Sequence, residues 1–250
     1  MNKPLIWAHR GASGYAPENT LPAFALAAEM KADGVELDVQ LTKDGEVIVC
    51  HDERIDRTSN GHGSIGSLTL AELKKFDFCN RIYAYEGTRI PTMREVFELL
   101  EPTGLTINIE LKTGIVFYKD LEEKTVRLTH EFNMQDRVIY SSFNHYSILK
   151  IKEIDPDALT GFLYSDGTYD MPGYAAAHHV TALHPSVYNL QYPHYMEDCA
   201  AHGIDVNVWT ANSEADLLYC RDKGVHAIIT NYPAKAIELL GKEYAVWKDS

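Results

Sequence analysis

Alternation constrains the fold of this chain more than any other feature. Short runs rich in apolar and β-branched residues trade places with helix-patterned segments almost from end to end. Strand-like runs occupy 5–11, 34–42, 105–112, 137–143, 159–165, 181–187, 204–211 and 227–233, and each leads into a helical pattern. That makes roughly eight β/α units, the number and length expected of a closed (β/α)8 TIM barrel. Alternation alone does not prove closure, so a doubly wound open sheet is the alternative. The first helix has Asn19 or Thr20 as its N-cap, most simply Asn19, with Pro22 in its first turn.

One segment departs from the pattern. The run 46–52 reads as an extra strand after the tight turn Lys43-Asp44-Gly45, and 53–67 is rich in Gly and Ser before the short helix expected over 69–77. This predicts an insertion at about 52–90, after the second barrel strand, on a single 250-residue domain. No low-complexity tract divides the chain.

Composition excludes several classes of partner. With 36 acidic against 23 basic residues the net charge is −13, which argues against nucleic acid or an anionic membrane surface. No run approaches the ~18 apolar residues of a membrane span, and His9 and Arg10 arrive before any signal-like segment develops. The four cysteines form no C-x-x-C pair, so a reducing, cytoplasmic setting is expected, with neither disulfides nor a zinc site. An anionic substrate must then meet a local positive site.

In a barrel, functional groups gather where the C-terminal ends of the strands converge. His9 and Arg10 close the first strand, Glu36 and Asp38 lie in the second, His51 ends the added strand, and Glu110 and Lys112 end the next. Residues i and i+2 of a strand share a face, so Glu36 projects with Asp38 and Glu110 with Lys112. Three carboxylates among apolar strand residues repel one another and lose hydration unless something compensates them. A divalent cation does so, and an all-oxygen set suits Mg2+ or Ca2+ rather than zinc. Solvent exposure or pairing with lysines is the other way to satisfy such a pair. The two imidazoles can exchange protons near neutral pH, and Arg10 and Lys112 add fixed positive charge. A phosphate is the substrate group this combination fits.

Other residues carry blander readings. Trp209, taken alone, belongs to the core. Cys50 points away from His51 and packs as a small hydrophobe. His178, His179 and His184 have no common ligand spacing. Glu18 orients a neighbouring loop, and some of the tyrosines between 164 and 195 line the pocket.

HRGASGYAPENTLPAF at 9–24, VELDVQLTKDGEVIVCHD at 35–52 and NIELK at 108–112 resemble the signature blocks of the glycerophosphodiester phosphodiesterase family. YSSFN at 140–144, VNVWTAN at 206–212 and TNYP at 230–233 agree with it, so the resemblance spans nearly the whole chain. It implies hydrolysis of glycerophosphodiesters, such as glycerophosphocholine, to sn-glycerol 3-phosphate and an alcohol. Carried over by position, Glu36, Asp38 and Glu110 are the ligands of one divalent cation, Mg2+ or Ca2+ with Mn2+ able to serve. His9 and His51 are the general acid and base, Arg10 and Lys112 grip the phosphate, and Trp209 packs on the glycerol. The insertion matches a small subdomain that such enzymes carry.

The mechanism implied is attack by the glycerol 2-hydroxyl and then opening of a cyclic phosphate, and direct attack by water uses the same residues. The expected partner is a small molecule, without a membrane, on a monomer or homodimer. Two alternatives stand. One is a related phosphodiesterase acting on lysophospholipids or inositol lipids, which needs an apolar surface at the barrel mouth. The other is a non-catalytic glycerophosphodiester-binding protein, which has no need of two imidazoles.

Overall fold

The computed structural model describes residues 3–246. Within them lie nine strands: β1 (Leu5–His9), β2 (Gly34–Leu41), β3 (Val47–Val49), β4 (Thr106–Leu111), β5 (Val138–Ser142), β6 (Leu159–Tyr164), β7 (Ala182–Pro185), β8 (Asp205–Val208) and β9 (Ala227–Thr230). All but β3 run parallel, and β1 pairs with β2 on one side and β9 on the other, so the sheet closes. Closure excludes the doubly wound alternative. The helices on the outside are α1 (Leu21–Glu29), α2 (Leu70–Leu73), α3 (Met93–Leu100), α4 (Leu121–Glu131), α5 (His145–Ile154), α6 (Met171–Ala177), α7 (Tyr195–His202), α8 (Glu214–Lys223) and α9 (Pro233–Val246). None of the described helices is long and apolar enough to cross a membrane.

Burial follows from this layering. Strand β2 is buried at every position, because one face looks into the barrel and the other against helices. Helix α3 shows how the outer layer is held. Thr92 and Glu95 form a reciprocal capping box at its start, worth about 1 kcal/mol. Its buried residues Met93, Val96, Phe97 and Leu100 recur at i, i+3, i+4 and i+7 and so share one stripe. Phe97 is fully buried and meets Phe132 edge-on at 5.5 Å, so Phe97→Ala costs about 3–5 kcal/mol.

Several strands stop earlier than the apolar runs suggest. After β1 the backbone turns sharply, with φ of 54° at Arg10 and 76° at Gly11. A Cβ at Gly11 would lie 2.7 Å from the carbonyl carbon of Ala23, so this turn requires glycine. The cap of α1 also differs from the simplest expectation. Thr20, in extended backbone, accepts from the Ala23 amide and is the N-cap. Asn19 has φ of 56° and turns inward instead, its amide donating to Asp38 at 2.8 Å.

Strand β3 has a definite place in the ladder. Because β1 ends at His9, opposite Glu36, the farther part of β2 is free on one edge and takes β3 antiparallel, Val39 against Val49. Together with the segment that follows, β3 packs a small second core from Ile48, Cys50, Ile55, Ile65, Leu73, Phe78 and Ile90. Helix α2 is one turn long, shorter than the expected 69–77, because the Lys75 and Phe76 amides bond back only three residues, to Glu72 and Leu73.

Candidate active site

Parallel register assembles the acidic cluster. Asp38 on β2 lies directly across from Glu110 on β4, and Glu36 lies across from His9 on β1. The three carboxylates each offer one oxygen, and these oxygens all fall within 4.8 Å of one another. Among the described residues this is the only such group of His, Cys, Asp or Glu, so His178, His179 and His184 do not gather. Asp38 is fully buried, and its Oδ1 has no hydrogen-bond partner. A buried carboxylate oxygen facing two more carboxylates is the situation a hard cation relieves, so the donor set fits Mg2+ or Ca2+.

The surrounding charges act unequally on these acids. Burial pushes the Glu36 carboxyl well up, and Asp38 and Glu110 add to it. Burial also works against ionisation of Asp38, yet Arg10, Lys112 and His51 overcome it and bring that carboxyl down to about 2. Glu110 is raised by burial and by Asp38, against the pull of Lys112. The Lys112 ammonium donates to Glu110 at 2.9 Å and stands 3.9 Å from Asp38. Arg10 touches the cluster twice: its backbone N–H donates to Glu36 at 2.9 Å, and its Nε stands 3.4 Å from Asp38.

The two histidines flank the acids in different settings. His9 Nδ1 lies 2.6 Å from Asn231 Oδ1, and Nε2 lies 3.9 Å from Glu36. Burial, then the neighbouring Arg10, lowers its pKa to about 4, so the ring is neutral at pH 7. His51 arrives by another route. The Cys50 amide bonds the Asp38 carbonyl at 2.9 Å, which carries the chain past the cluster and leaves His51 on the rim, its Nδ1 2.7 Å from Asp52. Cys50 itself is buried in the small second core, as strand alternation requires.

His9, Arg10, Glu36, His51, Glu110 and Trp209 line one cavity at the C-terminal end of the barrel. Asp38 lies beside the lining residue Arg10, and Lys112 pairs with the lining residue Glu110. Trp209, just beyond β8, is fixed by donation from its ring N–H to the His184 carbonyl at 2.8 Å and meets Phe143 edge-on at 5.5 Å. All eight residues singled out in the sequence therefore converge. Sequence reasoning missed Asn231, Asn19, Asn108 and Phe143. Asn231 and Phe143 lie inside the quoted blocks TNYP and YSSFN, and Asn19 was read as a cap because local spacing gives no sign of a partner 19 residues away.

The profile of the Glycerophosphoryl diester phosphodiesterase family matches residues 9–235. A glycerophosphodiester phosphodiesterase of Caldanaerobacter subterraneus subsp. tengcongensis is 43% identical over 241 residues, 96% of this chain and 99% of that one. One from Bacillus subtilis is 34% identical, covering 92% of this chain and 84% of its own. A phosphodiesterase structure from Oleispira antarctica, in complex with the product sn-glycerol-3-phosphate, superposes with a TM-score of 0.85 at 31% identity, covering 95% and 97% of the two chains. The glycerophosphodiester phosphodiesterase structure from Thermotoga maritima gives 0.79 at 26% identity, with 96% and 99% covered. The likeness runs through every block that supplies the cavity, and the chain belongs to the glycerophosphoryl diester phosphodiesterase family, whose members are phosphoric diester hydrolases.

Proposed function

We propose that this enzyme hydrolyses glycerophosphodiesters, the deacylated phospholipids, to sn-glycerol 3-phosphate and an alcohol, with Glu36, Asp38 and Glu110 holding one divalent cation. One observation carries the reading: three carboxylate oxygens within 4.8 Å of one another share a cavity with His9 and His51. A divalent cation bound there supplies positive charge against the anionic oxygens of the phosphodiester. Arg10 and Lys112, beside the same acids, grip those oxygens from either side. His9 and His51 move protons, one taking the proton of the attacking hydroxyl and the other supplying the leaving alcohol. Attack by the glycerol 2-hydroxyl through a cyclic phosphate and direct attack by water place the same demands on both rings. Trp209, held by His184 and Phe143, offers a rigid face for the glycerol carbons.

The described cysteines are all free thiols, which supports a reducing, cytoplasmic compartment. A substrate panel tests the proposal: glycerophosphocholine and glycerophosphoethanolamine, coupled to detection of glycerol 3-phosphate, with and without EDTA. Release of glycerol 3-phosphate that EDTA abolishes is expected, and its absence from every substrate overturns the reading.

A second reading has one observation in its favour. An acylated substrate needs apolar surface at the mouth, and Ile115 and Phe117 after β4 and Phe143 and Tyr146 after β5 are exposed there. The comparison is turnover of lysophosphatidylcholine against glycerophosphocholine, and a preference for the former establishes the lysophospholipid as substrate.

A further inference from the structure

Arg57 lies in the insertion, outside every group assigned so far, yet its guanidinium makes two forks. Nε and Nη2 donate to the two oxygens of Asp52 at 2.7 and 3.0 Å. Nη1 and Nη2 donate to the two oxygens of Glu18 at 2.7 and 2.8 Å. Each carboxylate passes the contact inward. Asp52 lies 2.7 Å from His51 Nδ1, and Glu18 accepts from Arg10 Nη1 at 2.9 Å. Arg10 then stands 3.4 Å from Asp38. One continuous chain of polar contacts therefore runs from His51 on one flank of the cavity to Asp38 at its floor, and Arg57 is its middle link.

We propose that Arg57 is a positioning residue: by clamping Asp52 and Glu18 together it fixes the His51 imidazole and the Arg10 guanidinium in their working orientations. The inference rests on the roles given to His51 and Arg10 in the proposed reaction. With Nδ1–H donated to Asp52, His51 presents Nε2 for proton transfer. Without the clamp, Glu18 keeps Arg10 and Asp52 keeps His51, but nothing holds the two carboxylates together, and each is free to shift the group behind it. The bland alternative is a surface ion pair, since the Arg57 side chain is 46% exposed. Such pairs contribute little to stability, and a merely structural role leaves turnover unchanged.

The test uses the full chain loaded with divalent cation. For Arg57→Ala we expect kcat on glycerophosphocholine to fall roughly 10- to 100-fold, the scale of a misplaced catalytic group, with Tm changed by no more than a few degrees. Added guanidinium ion restores part of kcat, whereas Arg57→Lys does not, because one ammonium cannot form both forks. Asp52→Asn loses a similar amount, and the double variant loses no more than either single one. 15N shifts of the His51 ring are expected to report the Nδ1–H tautomer in the parent chain and a mixture in Arg57→Ala.

A kcat for Arg57→Ala within twofold of the parent overturns the proposal. So does a loss that follows Tm and ignores guanidinium, or additive losses in the double variant. If the parent chain releases no glycerol 3-phosphate, the reaction proposed above fails. The ring tautomer is then still decisive for the clamp, and its indifference to Arg57→Ala overturns it.

Discussion

Asn231 and His9 join the two ends of the barrel's chain: the Asn231 side-chain oxygen stands 2.6 Å from His9 Nδ1, across 222 residues of sequence. With the Asn231 oxygen as acceptor, Nδ1 is the donor of this pair, so the His9 proton sits on Nδ1 and Nε2 is left toward Glu36. Asn231→Leu frees the ring and mixes its tautomers. The expected result in steady-state assays is a kcat lower by about 10-fold or more, with KM changed far less. Equal kcat in the two proteins removes Asn231 from this role.

Loss of either ring itself has a larger effect. In the proposed reaction His9→Ala and His51→Ala are each expected to lower kcat by at least ~100-fold, the usual scale of a missing general acid or base. Circular dichroism is expected to show the barrel intact in both variants. Full turnover by either one takes that histidine out of the reaction.

Removal of the proposed cation is expected to silence the enzyme. The expected outcome is that EDTA abolishes turnover and that Mg2+, Ca2+ or Mn2+ restores it to differing degrees. Glu110→Gln removes one of three charged donors, and calorimetric titration registers at least ~10-fold weaker cation binding. Turnover that survives thorough chelation rules out a metal-assisted route.

His184 makes stability depend on pH. Its ring is fully buried, and burial, then the nearby His226, lowers its pKa to about 3 from the ordinary 6.5. Between pH 6.5 and 3 the unfolded chain binds a proton there that the folded chain refuses, so stability rises with pH through that window and is fully present above it. One such group contributes a slope of up to about 1.4 kcal/mol per pH unit. Urea unfolding of His184→Gln between pH 7 and 5 shows a shallower decline than the parent chain, and parallel curves refute the assignment.

The barrel was legible because most strands are short apolar runs and helices such as α3 show a stripe, patterns set by periodicity within a dozen residues. Glu36, Asp38 and Glu110 stood out because charge inside such strands has no local excuse. Asn19 was misread for the opposite reason. Its partner Asp38 is reached only through a left-handed turn, so a residue type common at caps looked like the cap while Thr20 filled that place. Closure was expected from the count of eight units, but alternation alone did not prove it, since the β1–β9 ladder joins residues more than 200 positions apart. Arg57 sat in a polar loop where nothing in the spacing distinguishes it from any solvated arginine.

The second apolar cluster has a consequence for how activity is lost. His51 hangs from a segment whose seven buried side chains form their own nucleus, apart from the barrel's interior. Such a unit can open by itself, carrying the imidazole away while the eight staves stay zipped. If His51 serves as proposed, the expected outcome is reversible loss of activity below the melting temperature, with amide exchange in 52–90 running ahead of exchange in the staves.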